Sequence, residues 1–226
     1  MIWPFNRKLE PVAAEYLAAC KQGVPKGVDV ADLTVLVIDA ETTGFSLDND
    51  RLLSLATIEV AEREIHVRSA KDWLIYQNVA PVNEAMKVHG ILPSDTAKGR
   101  PEKEVLGEFL KSLGSRLLVG HHIKFDAGML SVAVKRHYGI KLRGRVLDTA
   151  LLAMQELPAF HKTGYANQKP PSLEDVCTSL NLPMMDRHTA AGDAFTTAAI
   201  FLALCARLRK RLERPVRLED LPVTKF

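Results

Sequence analysis

The sequence has few cysteines, and they lie far apart. Three occur among 226 residues, Cys20, Cys177 and Cys205, and no C-x-x-C pair is present. This spacing argues against a disulfide framework and against a structural zinc site, and it is typical of proteins from a reducing compartment. We therefore expect a cytoplasmic protein.

The sequence also lacks a long hydrophobic run and a strong charge of one sign. Its longest uncharged apolar stretch covers 13 residues, 194–206, whereas about 20 are needed to span a bilayer. At the start of the chain, charges follow a very short apolar piece, which is the reverse of a signal peptide. The net charge of +3 permits an anionic partner without requiring one. We expect no membrane partner.

The composition is that of a globular protein, with 47% apolar and 25% charged residues. We predict that residues 1–30 form a helical extension in which Pro11 starts a helix. Residues 31–212 are predicted to form the main domain and residues 213–226 a tail. The helix of the extension either packs against this domain or docks a partner.

Hydrophobic patterning predicts three strands followed by helices and strands in alternation. The predicted strands cover 34–39, 51–60, 73–79, 117–119 and 146–148. The predicted helices begin at about 101, 125, 173 and 190, and the last of them ends at about 212. The first strand is a continuous apolar run, which is typical of burial on both faces of a sheet. This order predicts a mixed α/β sheet covered by helices.

Two carboxylates lie close together where the first strand ends. Asp39 and Glu41 are two residues apart, so their side chains point to the same face of the strand. Adjacent buried carboxylates repel each other and need a cation, and oxygen ligands suit Mg²⁺ or Mn²⁺. The alternative is a strand edge with two solvated acids.

Two further acids and a histidine occur at element boundaries. Asp126 falls in the first turn of the helix after a buried strand, where aspartate is also favoured by the helix dipole. Asp193 interrupts the most apolar helix, and a lone buried aspartate is costly without a partner. His188 precedes it by five residues.

The ordered set of acids and histidine resembles the DnaQ-like exonucleases of the DEDD group. The match is closest to the histidine-bearing subgroup, which includes the proofreading epsilon subunit of bacterial DNA polymerase III. Shorter stretches agree with it, at 41–45, 88–91, 148–149 and 172–177. The resemblance covers about residues 33–206 and implies a ribonuclease H-like fold, a five-stranded mixed sheet flanked by helices.

The resemblance also implies a site with two Mg²⁺ or Mn²⁺ ions. It assigns the bridging position to Asp39, one further metal site to Glu41 and Asp193, and the other to Asp126. His188 is implied as the general base. The implied substrate-binding residues are Thr42, Thr43, Gly44, Phe45, His89 and His122.

Two of the substrate-binding assignments carry alternatives. Phe45 either stacks on the last base or belongs to the core. His122 stands where the family usually has asparagine, which puts family expectations about substrate choice and pH response in doubt. Histidine and asparagine can both donate and accept hydrogen bonds, so we expect the fold to be kept with histidine at this position.

The implied activity is 3′→5′ hydrolysis of single-stranded or frayed DNA, with release of nucleoside monophosphates. An alternative activity is that of an exoribonuclease or short-oligonucleotide hydrolase, which shares these motifs. A second alternative is a binding subunit without catalytic activity. Association with a DNA polymerase or a sliding clamp is a further expectation. The stretch 155–160 faintly resembles a clamp-binding motif, although it precedes His188 and Asp193 instead of following them.

Basic residues are concentrated after the middle of the last predicted helix. They form either a surface that follows phosphates or a solvated helix end. The cluster comprises Arg207, Arg209, Lys210, Arg211, Arg214 and Arg217.

Overall fold

Six strands form one mixed sheet in the computed structural model, which describes residues 9–78, 84–161 and 168–226. The strands are β1 (Val35–Thr42), β2 (Leu52–Ala61), β3 (Glu64–Leu74), β4 (Leu118–Gly120), β5 (Arg145–Asp148) and β6 (Val223–Lys225). Their order is β3-β2-β1-β4-β5-β6, with parallel pairing of β4 to β1 and to β5 and antiparallel pairing elsewhere. The predicted mixed α/β class is confirmed, with six strands where five were expected.

Eight helices cover the two faces of the sheet in the described ranges. They are α1 (Pro11–Gln22), α2 (Glu84–His89), α3 (Pro93–Thr96), α4 (Glu102–Leu113), α5 (Lys124–Tyr138), α6 (Thr149–Glu156), α7 (Leu173–Leu180) and α8 (Ala190–Leu212). Alternate residues of β1 enter two separate cores. Leu36 packs in the core with α1, α4 and α5, and Val37 packs in the core with α6, α7 and α8. Burial of β1 on both faces agrees with its continuous apolar run.

The third strand lies earlier in the chain than predicted. It covers Glu64–Leu74 instead of 73–79, of which only residues up to 78 are described. Glu62 and Arg63 both adopt positive φ angles, 52° and 64°, which suits the tight turn of a β2–β3 hairpin. Most of β3 is exposed at the sheet edge. Burial therefore does not require apolar residues along it, and its charged residues give no recognisable strand pattern in the sequence.

Both terminal segments pack against the central part of the fold. In α1, Ala13 and Tyr16 are buried, and the Tyr16 hydroxyl donates a 2.6 Å hydrogen bond to the Arg143 carbonyl. The helix therefore packs against the domain. Within 213–226, β6 extends the sheet beyond β5 because Val216 and Leu221 bury their side chains and hold the segment in place.

Helix α8 has the predicted bounds and crosses the fold as its central helix. By length and composition it could cross a membrane, but half of its apolar stretch is buried inside the fold, as in a core helix. Four of the six basic residues near its end form ion pairs with acidic side chains. These pairs are Arg209–Asp29, Arg211–Glu156, Arg214–Asp220 and Arg217–Glu219. This pairing favours a structural role for much of the cluster.

Candidate active site

Three carboxylates converge where the end of β1 meets the start of α8. One ligand oxygen from each of Asp39, Glu41 and Asp193 lies within 4.8 Å of the others. The two-residue period of β1 turns Asp39 and Glu41 toward the α8 side of the sheet, and Asp193 lies in the first turn of α8. The local geometry of a strand and of a helix start therefore brings these three predicted residues together.

Asp126 adds a fourth carboxylate, from the helix that follows the neighbouring parallel strand. β4 pairs with β1 through Leu118 and Val119, and α5 begins shortly after β4 ends. Asp126 is buried in the first turn of α5. Its charge is close enough to contribute to the raised pKa of Asp39.

Burial raises the pKa values of all four carboxylates, and neighbouring like charges raise three of them further. Burial and the Asp193 charge raise the pKa of Glu41 to about 7, and burial, Glu41 and Asp148 raise the pKa of Asp126 to about 8. Burial, followed by the neighbouring carboxylates, raises the pKa of Asp39 well above its usual range. Burial also raises the pKa of Asp193.

No ion pair links these four acids to a lysine or arginine in the described parts of the chain. One oxygen of Asp193, Oδ1, is buried without a hydrogen-bond partner there. Converging carboxylates with an unsatisfied oxygen form the donor set that a hard divalent cation requires. The residues present therefore fit Mg²⁺ or Mn²⁺.

The loop before α8 holds His188 beside this cluster. His188 is half-buried with a φ angle of 63°, and its backbone N–H donates a 3.2 Å hydrogen bond to Asp193 Oδ2. The Thr189 hydroxyl caps α8 by accepting from the Gly192 N–H at 3.1 Å. A side chain at Gly192 would overlap the carbonyl oxygens of Met185 and Asp186, so glycine lets the loop pack on the helix start.

The β1–β2 loop places a large aromatic side chain at the surface next to the acids. Phe45 is 86% exposed, so the core alternative for this residue is wrong. The centre of its ring lies 5.6 Å from that of the Phe125 ring. Phe125 directly precedes Asp126 in the chain. Thr42 stabilises the approach to the loop, since its hydroxyl donates to the Gly44 carbonyl at 2.8 Å.

His89 lies near the same loop. It ends α2, and its Nδ1 accepts a 3.0 Å hydrogen bond from the Ile91 N–H. Burial lowers the pKa of His89, and the backbone of Thr42 acts in the opposite direction. The side chain is therefore next to the start of the β1–β2 loop.

His122 is exposed on the loop between β4 and α5. Its φ angle is 54°, and its N–H donates a 3.0 Å hydrogen bond to Asp148 Oδ1. The neighbouring His121 ring is buried between Thr149 Oγ1, at 2.9 Å, and the Pro171 carbonyl, at 3.1 Å. Burial and the His122 charge lower the pKa of His121 to about 4, so His121 acts as a neutral support.

Two organising acids were not among the predicted site residues. Asp148 ends β5 and accepts from the N–H groups of His122 and Ala150, so one carboxylate fixes two loops. An aspartate directly before a helix is a capping signal that could have identified it. Asp50 closes the β1–β2 loop, and its position in a polar turn shows no such signal.

The stretch 155–160, which resembles a clamp-binding motif, makes contacts with other parts of the fold. Leu157 is 2% exposed, and Glu156 pairs with Arg211. The Gln155 side chain donates to the Asp220 carbonyl at 2.9 Å. These contacts leave the central side chains of the stretch turned inward.

Comparison with known sequences identifies a matching family and several relatives. The RNase_T family model, described as an exonuclease, matches residues 36–201. DNA polymerase III subunit epsilon of Aquifex aeolicus is 28% identical over 180 residues, which cover 80% of this chain and 84% of that protein. The PolC-type DNA polymerase III of Halalkalibacterium halodurans is 28% identical over 204 residues, which cover 88% of this chain but only 13% of the polymerase.

Solved structures share the fold. Escherichia coli exonuclease I in complex with a dT13 oligonucleotide superposes with a TM-score of 0.63 at 18% identity, over 80% of this chain and 42% of that one. Exonuclease I from Methylocaldum szegediense gives a TM-score of 0.61 at 20% identity, over 80% of this chain and 41% of that one. This chain thus matches less than half of either enzyme, and the six-stranded sheet is similar to their ribonuclease H-like fold.

Proposed function

Because the chain belongs to the RNase_T family of exonucleases, we propose that it is a metal-dependent 3′→5′ exonuclease acting on single-stranded or frayed DNA. The convergence of Asp39, Glu41 and Asp193 within 4.8 Å carries this proposal. A non-catalytic binding subunit would have no need for buried, mutually repelling carboxylates, which cost folding free energy.

The acids would hold Mg²⁺ or Mn²⁺. Asp39 would contact both ions, Glu41 and Asp193 would complete one site, and Asp126 would complete the other. When bound, two such ions stabilise the attacking and leaving oxygens of an in-line displacement at phosphorus. The carboxylate charges that repel one another in the free protein would then be neutralised.

His188 would act as the general base. Its neutral imidazole would take a proton from the attacking water as the new P–O bond forms. The P–O3′ bond to the penultimate nucleotide would break, its O3′ would take a proton from water to become the new 3′ hydroxyl, and a nucleoside 5′-monophosphate would leave. The hydrogen bond from the His188 N–H to Asp193 Oδ2 ties the position of this residue to the carboxylate cluster.

The β1–β2 loop and the two histidines would bind the 3′-terminal nucleotide. The exposed Phe45 ring offers a stacking surface for the last base. Thr42, Thr43 and Gly44 would contact the terminal sugar, and His89 would support this loop. His122, which is exposed four residues before Asp126 in the chain, would contact a phosphate.

Relatives support DNA as the substrate and a polymerase as the partner. The relatives include a DNA polymerase III subunit, and one solved neighbour holds a DNA oligonucleotide. We propose by this analogy that the protein works on DNA in the cytoplasm, associated with a DNA polymerase.

The direct test uses 5′-labelled oligonucleotides with Mg²⁺ or Mn²⁺. Single-stranded DNA, paired DNA, mismatched DNA and RNA of the same sequence would be compared. We expect a ladder of progressively shorter labelled products, fastest from single-stranded and mismatched DNA, and none with Asp39→Ala. A preference for RNA would identify an exoribonuclease instead of a DNA exonuclease. Absence of metal-dependent release from every substrate would overturn the proposal.

A further inference from the structure

The loop that carries Phe45 is closed by one carboxylate. Asp50 Oδ1 accepts a 2.6 Å hydrogen bond from the Thr43 hydroxyl, and Asp50 Oδ2 accepts a 2.8 Å hydrogen bond from the Ser46 N–H. Thr43 and Ser46 lie on opposite sides of Phe45 in the chain. The two oxygens of Asp50 therefore hold both ends of the short segment that presents the exposed ring.

Backbone geometry shows that this closure is built into the loop. The Asp50 N–H donates to the Ser46 carbonyl at 2.8 Å, and the Arg51 N–H donates to the Thr43 hydroxyl at 3.0 Å. A Cβ atom on Gly44 would lie 2.7 Å from Asp50 Oδ2. Glycine at this position thus leaves room for the carboxylate against the backbone.

The other end of the loop has contacts that orient the ring. Phe45 lies 5.6 Å from the Phe125 ring in a tilted arrangement. A Cβ atom on Gly128 would lie 3.0 Å from the Leu47 side chain, so Leu47 rests on α5 one turn further along. The loop therefore reaches across to α5, and Asp50 keeps its two arms together.

We propose that Asp50 is a positioning residue for the 3′-terminal nucleotide, acting through Phe45. This inference rests on the proposed function and concerns substrate binding, not the hydrolytic step. Asp50 touches neither the carboxylate cluster nor His188 in any described contact, so its loss should change KM more than kcat.

Asp50→Asn is the informative variant, with Asp48→Asn as the matched control. Asparagine has one acceptor oxygen, so its amide N–H₂ would face one of the two donors that the carboxylate now accepts. Asp48 lies on the same loop and is exposed, and its only described contact is a 3.3 Å bond from Arg51 Nη1 to its backbone carbonyl. Both substitutions remove one charge, but only the first opens the loop.

Steady-state kinetics on single-stranded DNA should separate the two. We expect Asp50→Asn to raise KM about tenfold, in the range of one lost base–aromatic stack, with kcat within about twofold of the wild type. Asp48→Asn should match the wild type in both constants. Equal KM values for the two variants, or a fall in kcat alone, would overturn the inference.

A double-variant cycle tests whether Asp50 acts through Phe45. If it does, adding Asp50→Asn to Phe45→Ala should cause little further rise in KM. A full multiplicative rise would show that Asp50 acts elsewhere and would contradict the proposal. Should Asp50→Asn not fold, Thr43→Val removes one of the two donors, and it must raise KM less in Phe45→Ala protein than in protein that keeps Phe45, because a direct contact of Thr43 with the sugar would act equally in both.

A fluorescence measurement separates this inference from the proposed activity. A DNA oligonucleotide with 2-aminopurine at its 3′ end would be bound to His188→Ala protein, which should bind DNA without rapid hydrolysis. We expect its emission change to be reduced by Asp50→Asn and kept with Asp48→Asn. If the wild type hydrolyses DNA but both added substitutions leave the emission unchanged, only the role of Asp50 fails. A wild type that neither binds nor hydrolyses nucleic acid overturns both proposals.

Discussion

The two ends of α8 handle buried acids in opposite ways. At its start, Asp193 meets Asp39 and Glu41 without an ion pair to lysine or arginine in the described chain. Near its end, Glu156 is almost fully buried but pairs with Arg211 at 2.7 Å, and Asp220 pairs with Arg214 at 2.7 Å. The carboxylates near the end of α8 are therefore paired with arginines of the protein, whereas those at its start have no such partner in the described chain.

The pKa directions show what this difference means. The Arg214 guanidinium lowers the pKa of Asp220, whereas burial and the Asp193 charge raise the pKa of Glu41 to about 7. Buried carboxylates without cations destabilise a fold, so a cluster of them indicates a ligand supplied from outside. The paired end stabilises the fold, and we propose that the unpaired end binds a divalent cation.

The largest expected effect comes from removing the carboxylate placed between the two proposed ions. Asp39→Ala should abolish hydrolysis of single-stranded DNA, because the metal pair loses its shared ligand. The fold should be kept and could gain stability, since repulsion among the remaining acids is relieved. Initial rates and circular dichroism would be compared with the wild type. Retention of more than about a tenth of the wild-type rate would contradict the two-metal assignment.

The next effect should come from the proposed base. His188→Ala should slow hydrolysis about 10²–10⁴-fold while leaving metal binding largely intact, because His188 lies outside the carboxylate set. Adding His122→Asn to each protein controls for the second imidazole near the site. A variant with the wild-type rate would remove His188 from the mechanism.

Long, strongly patterned elements were predictable from the sequence, and short edge elements were not. The bounds of α8 and the continuous run of β1 agree with the predictions because burial dictates their apolar residues. The exposed strand β3 was misplaced, and β6 was unforeseen, since edge strands carry little hydrophobic signal.

The candidate site shows the same division. The strand period was enough to anticipate that Asp39 and Glu41 share one face of β1, whereas the joining of Asp193 to them followed only from the family resemblance. The contacts of Asp50 and Asp148 depend on backbone N–H groups whose positions only the folded loops define. Spacing along the chain contains no information of that kind.

A smaller effect is expected from unpairing an acid at the other end of α8. Arg211→Ala should lower the free energy of unfolding by about 1–3 kcal/mol, because the buried Glu156 carboxylate loses its charged hydrogen-bond partner. Activity per folded molecule should be unchanged, in contrast to Asp39→Ala. Arg207→Ala, an exposed basic residue on the same helix, is the control in urea unfolding. Equal midpoints for the two variants would show that the Glu156–Arg211 pair contributes nothing.

An effect of comparable size is expected in the pH dependence of stability of the metal-free protein. The pKa of Glu41 is about 7 in the folded state, above its ordinary value of 4.5, so the folded state binds more protons between these pH values. Stability should therefore fall as pH rises from about 5 to 8, with a Tm change of about 2–4 °C per kcal/mol. Mn²⁺ should restore the Tm at pH 8, and Glu41→Gln should weaken the pH dependence. A metal-free Tm that rises across this range would have the wrong sign.

Calorimetric titration of Mn²⁺ tests most directly whether the unpaired end of α8 is the cation site. Wild-type protein, Asp193→Asn and the paired-end control Asp220→Asn would be titrated under the same conditions. We predict that Asp220→Asn binds Mn²⁺ as the wild type does and that Asp193→Asn loses at least about tenfold in affinity, since asparagine keeps the shape of the ligand but not its charge. Equal Mn²⁺ binding by Asp193→Asn and the wild type would contradict the account.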